Sequence, residues 1–139
     1  MSNGILIVDD NANIRRLLRA FVENNTAFAV CGEAENGAEA IEKAKELQPD
    51  LILLDLGLPG MSGTDAAPFL KRLLPQVKII LFTMHTEGIN LALASRFDID
   101  LVLTKSDSIT TLKEHLIALL TPVDSPTPTR DARKNTRIN

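Results

Sequence analysis

Residues 5–10 read Ile5-Leu6-Ile7-Val8-Asp9-Asp10, and residues 51–55 read Leu51-Ile52-Leu53-Leu54-Asp55. Each is a short aliphatic run closed by carboxylates. Runs of this length and composition suit central strands of a parallel sheet covered on both faces. Strands that finish together set their last residues along one edge of the sheet. Asp9, Asp10 and Asp55 are therefore expected to converge at the carboxyl ends, where open α/β sheets place their sites. Like charges gathered so closely are costly unless a cation offsets them. Hard oxygen ligands with room for water suit Mg²⁺.

Two further runs end at the same expected edge. Val77-Lys78-Ile79-Ile80-Leu81-Phe82 leads to Thr83, and Ile99-Asp100-Leu101-Val102-Leu103-Thr104 leads to Lys105. A hydroxyl and an ammonium beside three carboxylates make a place to hold a phosphoryl group: nucleophile, metal ligands, donor and cation. With these elements in this order, the sequence resembles the receiver domain of two-component response regulators. The resemblance runs from about Gly4 to Leu120. It rests on Asp9-Asp10, the segment from Asp55 to Gly63 (Asp-Leu-Gly-Leu-Pro-Gly-Met-Ser-Gly), Thr83 and Lys105.

The resemblance implies a flavodoxin-like, doubly wound α/β fold with a five-stranded parallel sheet in the order 2-1-3-4-5 and five helices. Periodicity alone does not yield that order. It implies Asp55 as the phosphoacceptor. Mg²⁺ would be held by Asp10 directly, by Asp9 partly through water, by Asp55 and by the backbone carbonyl of Gly57. Thr83 and Lys105 would bind the phosphoryl group. The implied donors are a sensor histidine kinase or a phosphotransfer protein. The implied output surface, for a homodimer or another partner, is the face of the fourth helix, fifth strand and fifth helix. Pro59, Gly60 and Gly63 shape the loop beside the acceptor.

Length and composition agree with one such domain. A chain of 139 residues supports a single sizeable core, and a formal charge of −3 gives no electrostatic footprint for direct nucleic-acid binding. No apolar stretch approaches the length of a membrane span. The start, Met1-Ser2-Asn3-Gly4, has no charged segment followed by a long apolar one, so no signal peptide is expected. Cys31 is the one cysteine and is expected as a buried small hydrophobe on the second strand. A cytoplasmic location is the expectation.

Strand and helix signals alternate five times. In the first helix Ile14, Leu17, Leu18, Phe21 and Val22 recur at helical spacing behind a cap at Asn11. Asn36 and Glu39 have capping-box spacing ahead of Ala40, Ile41, Ala44 and Leu47. Phe69, Leu70, Leu73 and Leu74 are expected as the inner face of the third helix, with Pro68 in its first turn. A fourth helix is expected near Glu87 to Ser95. The fifth, from about Ser108 to Leu120, carries Ile109, Leu112, Leu116 and Leu119. Residues 1–121 are expected as the domain and residues 122–139, with three prolines and no apolar period, as a disordered tail or the start of a linker.

Several positions depart from the usual receiver pattern. The aromatic residue expected three places before the Lys is Val102, so no rotating ring acts there as the output switch. Ser106, not Pro, follows Lys105, and Met84 stands where a small residue is common. Thr83-Met84-His85 resembles receivers that carry a helix-turn-helix output domain. Phe97-Asp98-Ile99-Asp100 replaces the usual Gly-rich approach to the fifth strand. His85 and His115 carry no spacing that marks a phosphohistidine, and His115 is expected to face solvent. The alternative reading is an atypical receiver that binds its partner independently of phosphorylation. A haloacid-dehalogenase-type phosphatase needs Asp-x-Asp after the first strand, which Asp9-Asp10-Asn11 does not supply.

Overall fold

The aliphatic runs form five parallel strands: β1 (Gly4–Val8), β2 (Ala29–Ala34), β3 (Leu51–Leu54), β4 (Lys78–Thr83) and β5 (Leu101–Thr104). Neighbours in the sheet follow the order β2-β1-β3-β4-β5, as expected. The computed structural model describes residues 4–83, 99–104 and 109–120, with the side chains of Thr83, Thr104, Ile109 and Thr110 outside that description. Its helices among the described residues are α1 (Ala12–Asn25), α2 (Gly37–Leu47), α3 (Gly63–Leu73) and α4 (Ile109–Leu120). The helix expected near Glu87 to Ser95 and the tail 122–139 lie outside the described residues.

Successive side chains of a strand point to opposite faces, and each central strand here is divided accordingly. Ile5 and Ile7 of β1 join Leu51, Leu53 and Ile80 in a core closed by Leu18 and Val22 of α1 and by Leu112 and Leu116 of α4. Leu6 and Val8 join Ile52, Leu54, Ile79 and Leu81 in the other core, closed by Ala40 and Ala44 of α2 and by Ala66, Ala67 and Leu70 of α3. Burying each such Ile, Leu or Val side chain contributes roughly 1.5–3 kcal/mol. Two cores on one sheet explain why β1 and β3 carry no polar residue.

The helices start where their caps say. Asn11 Oδ1 accepts from the amides of Asn13 and Ile14, and Asn36 Oδ1 accepts from Glu39 N. Glu39 reaches back one residue further than in a standard capping box, accepting from Glu35 N at 2.8 Å. Ser62 caps α3 by accepting from Asp65 N.

At the opposite, amino-terminal edge of the sheet, two aspartates hold backbone. Gly4 N donates to Asp50 Oδ2 at 2.9 Å, and Ile79 N donates to Asp100 Oδ2 at 2.8 Å. Lys71 Nζ of α3 also donates to Asp100 Oδ2, at 3.0 Å. Asp100, an oddity in the sequence pattern, thus ties β4, the start of β5 and α3 together.

Some expectations are corrected. Leu17 is 59% exposed, because it lies about 100° round the helix from Leu18, off the inward face. Phe69 and Leu73 are exposed as well, and the buried face of α3 consists of Gly63, Ala66, Ala67 and Leu70. Small residues bring α3 close to the sheet, and Phe69 instead carries the Arg72 guanidinium over its ring. Pro68 is not in the first turn but inside the helix. It has no N–H for the Thr64 carbonyl four residues back. Cys31 is only half-buried and occupies the register shift where Ile5 pairs with Val30 but Leu6 with Gly32. Burial is the main influence raising its thiol pKa, which disfavours the thiolate. His115 is half-buried rather than solvent-facing.

Restoring the missing donor in α3 should be stabilising. Pro68→Ala is expected to raise unfolding stability by about 1–2 kcal/mol, the helix-interior penalty less the greater chain entropy of the unfolded variant. Urea unfolding measures it, and a lower midpoint would show that the proline is better accommodated than its place implies.

Candidate functional site

The register of the sheet brings the acidic residues together. Val8 pairs with Leu54 across β1 and β3, so the next residue of each strand is an aspartate at the same level. Asp55 N donates to Val8 O at 2.9 Å, and Asp9 N donates to Ala34 O at 3.0 Å. Asp9 and Asp55 are the two buried charged residues among those described, 2% and 8% exposed, while Asp10 is exposed. One carboxylate oxygen from each of the three lies within 4.8 Å of the others.

This arrangement fits Mg²⁺. All three donors are hard oxygens, and the exposed Asp10 leaves one side open to water, which Mg²⁺ retains in its shell. Opposite ligands of an octahedral Mg²⁺ stand about 4 Å apart, so small side-chain adjustments suffice.

Asp9 is held from several directions. Its Oδ1 accepts from Asn11 N at 2.9 Å, which also shapes the turn into α1. Its backbone carbonyl accepts from Arg15 Nη1 at 2.6 Å. Arg15 Nε donates to Glu33 Oε1 at 3.0 Å, and Arg19 Nε donates to Glu33 Oε2 at 2.7 Å. Burial raises the Glu33 pKa, but the hydrogen bonds from Arg19 and Arg15 outweigh it and hold the carboxyl below its ordinary value. Sequence reading missed this trio. The only available signal was Arg15 and Arg19 at i, i+4 on the flank of an amphipathic helix, facing a strand whose pairing was not yet known.

Beside Asp55 the loop turns tightly. Met61 N donates to Pro59 O across Gly60, whose φ of +81° favours glycine. Leu58 is buried and pins the loop to the α2–α3 core. Gly63 N donates to Leu56 O at 3.0 Å. A Cβ on Gly63 would collide with the Asp55 carbonyl oxygen and lie 3.1 Å from Leu56 Cα. Gly63 is therefore required for α3 to start against the end of β3. Gly57 directly follows Leu56 on this loop and is exposed, with open space where a Cβ would stand.

Of the remaining sequence-derived positions, Thr83 closes β4 and pairs with Thr104 of β5. Its side chain, and the whole of Lys105, Met84 and His85, lie outside the described residues. Val102 pairs with Leu81 and is half-buried against the α2–α3 core.

Comparison with known proteins covers most of the chain. The family model described as "Response regulator receiver domain" matches residues 5–117. The response regulator protein VraR of Staphylococcus saprophyticus is 34% identical over 110 residues, 79% of this chain and 53% of that protein. Chemotaxis protein CheY of Thermotoga maritima is 42% identical over 81 residues, 58% of this chain and 67% of that protein. The crystal structure of the response regulator TrrA of Thermotoga maritima, in complex with Mg²⁺-BeF, superposes with a TM-score of 0.76. It is 33% identical to this chain, covering 86% of it and 100% of that chain. The chain spans about half the length of VraR.

Gly63 and Gly57 make opposite predictions from one loop. Gly63→Ala is expected to cost about 2 kcal/mol or more, because backbone is a neighbour that cannot give way. Gly57→Ala should stay within about 0.5 kcal/mol of wild type. Chemical denaturation of both variants checks this, and equal stabilities would contradict the close approach.

Proposed function

The chain belongs to the response regulator receiver domain family, and from that premise we propose that Asp55 accepts a phosphoryl group and thereby switches partner binding. The observation that carries this reading is the convergence of Asp9, Asp10 and Asp55, with oxygens within 4.8 Å of one another at the carboxyl edge. The donor is a sensor histidine kinase or a phosphotransfer protein. Such a module acts on itself and turns over no separate substrate. No described helix is long and apolar enough to cross a membrane.

In the reaction, a carboxylate oxygen of Asp55 attacks the phosphorus of a phosphohistidine or an acyl phosphate. The new P–O bond forms as the bond from phosphorus to the leaving group breaks. Asp55 is nearly buried but sits at the end of its strand, beside a loop whose Gly57 is open to solvent. That leaves the nucleophile little hydration to shed and one side for approach. Asp9, Asp10, Asp55 and the Gly57 carbonyl would hold Mg²⁺, which would supply the positive charge that lets an anionic donor meet an anionic acceptor. Thr83 donates its hydroxyl to a phosphoryl oxygen, and Lys105 pairs with the phosphoryl charge. The Mg²⁺-BeF complex of TrrA, a relative of the same fold, supports this choice of chemistry.

The output is expected to differ from that of receivers with an aromatic at position 102. Val102 is β-branched, stiff at χ1 and half-buried, so it has no ring to move between a buried and an exposed state. Movement of the backbone after Thr83 is then the route by which the phosphoryl group reaches the face of the fourth predicted helix, β5 and α4. A partner surface that ignores phosphorylation is the rival reading, favoured by the same Val102.

Incubation with Mg²⁺ and acetyl phosphate should add one phosphoryl mass to the wild type and none to Asp55→Ala. Asp10→Ala should lose Mg²⁺ affinity and phosphorylation together. Labelling of Asp55→Ala at the wild-type level would overturn the assignment.

Beryllofluoride with Mg²⁺ should move NMR resonances of residues 55–63, 83–88 and those around 105, with weak shifts in α4. Large, uniform shifts across residues 109–119 would contradict this account of the switch. Equal affinity of an output partner for the two states would favour the phosphorylation-independent reading.

A further inference from the structure

Asp9 and Asp10 are joined by one peptide, and the tilt of that peptide decides whether their carboxylates face the same ion as Asp55. A trans peptide is rigid and points its C=O and N–H to opposite sides. Fixing the Asp9 carbonyl therefore fixes the plane from which Asp10 departs. The described partner of that carbonyl is a side chain, Arg15, whose Nη1 donates at 2.6 Å. Arg15 is itself aimed by Glu33, which takes Arg15 Nε on one oxygen and Arg19 Nε on the other. Glu33 belongs to β2 and pairs with Ile7, two residues before Asp9. The guanidinium thus spans from a strand next to β1 to the turn that follows it. Its side chain is 16% exposed, so it has little freedom to swing away.

A purely structural ion pair would be complete with Nε on Glu33. The additional bond to the turn that bears both acidic residues needs its own reason. We infer that Arg15 is a positioning residue for the metal site, holding the Asp9–Asp10 peptide so that both carboxylates face Asp55. This inference rests on the reading of the three aspartates as Mg²⁺ ligands. Two effects of Arg15 have opposite sign. As a nearby cation it opposes binding of another cation, so its removal would tighten Mg²⁺ binding if charge alone mattered. As a clamp it organises the ligands, so its removal would weaken binding. The direction of the change decides between them.

The test is Mg²⁺ titration of the full chain by calorimetry, with thermal unfolding in metal-free buffer measured alongside. Arg15→Met should weaken Mg²⁺ affinity about tenfold, the scale seen when the partner of a ligand residue is lost. Arg15→Lys should recover part of it, since an ammonium can reach one acceptor but lacks the planar fork that serves two. Arg19→Met removes the outer half of the same network without touching Asp9. It should unfold at a lower temperature yet bind Mg²⁺ within about twofold of wild type. Equal or tighter binding by Arg15→Met, or an equal loss in Arg19→Met, would overturn the role of Arg15 alone. A wild-type chain that binds no Mg²⁺ would overturn the metal reading and this inference with it. Should Arg15→Met not fold, Glu33→Met removes both acceptor oxygens and releases Arg15 without removing it. It must then show weakened Mg²⁺ binding, and wild-type affinity in that variant overturns the inference.

Discussion

Everything at the carboxyl edge depends on the pairing of β1 with β3. Hydrogen bonding between these strands sets Val8 against Leu54 and carries one step further, to Asp55 N donating to Val8 O. Because side chains alternate with a period of two, a slip of one residue would turn every buried aliphatic of either strand to the opposite face. The two cores, one with Ile5 and Ile7 and the other with Leu6 and Val8, therefore lock the register that sets Asp9 beside Asp55. Burial of apolar area opposes the electrostatic cost of gathering acidic groups. The fold holds its aspartates close through the apolar packing of the strands that carry them.

The sequence was most legible where one physical signal dominates. The aliphatic runs read as strands because nothing but a doubly covered sheet buries Leu51 to Leu54 on both sides, and Asn11 and Asn36 act at helix starts as short polar caps do. The three aspartates were legible for the same reason, since each closes such a run. Helix faces were less so. Leu17, Phe69 and Leu73 are large and apolar yet exposed, because helix-to-sheet distance, set in α3 by Gly63, Ala66 and Ala67, decides which residues fit inward. Pro68 was misplaced because its local penalty is smaller than the packing that holds the helix around it.

The Arg15–Glu33–Arg19 network was not legible. It joins α1 to β2 across 14 and 18 residues of sequence, and no periodicity encodes which charged residue on a helix flank meets which strand. Asp100 was missed in a similar way. Its role appears only when β4 and β5 lie side by side, so that Ile79 N and Lys71 Nζ both reach its carboxylate.

The sheet uses the same side chain for opposite purposes at its two rims. Asp50 and Asp100 at the amino rim satisfy backbone amides and knit strands together, whereas Asp10 at the carboxyl rim is exposed within a crowded acidic group. Loss of a carboxylate has unequal consequences as a result. At the amino rim it strands buried donors and weakens the fold, so the altered chain tends to disappear by unfolding. Loss of the exposed Asp10 carboxylate at the carboxyl rim relieves repulsion and leaves the cores intact. Such a chain keeps both cores and its strand register, so the change stays confined to the acidic group. A defect at one rim is thus local, whereas a defect at the other is shared by the whole sheet.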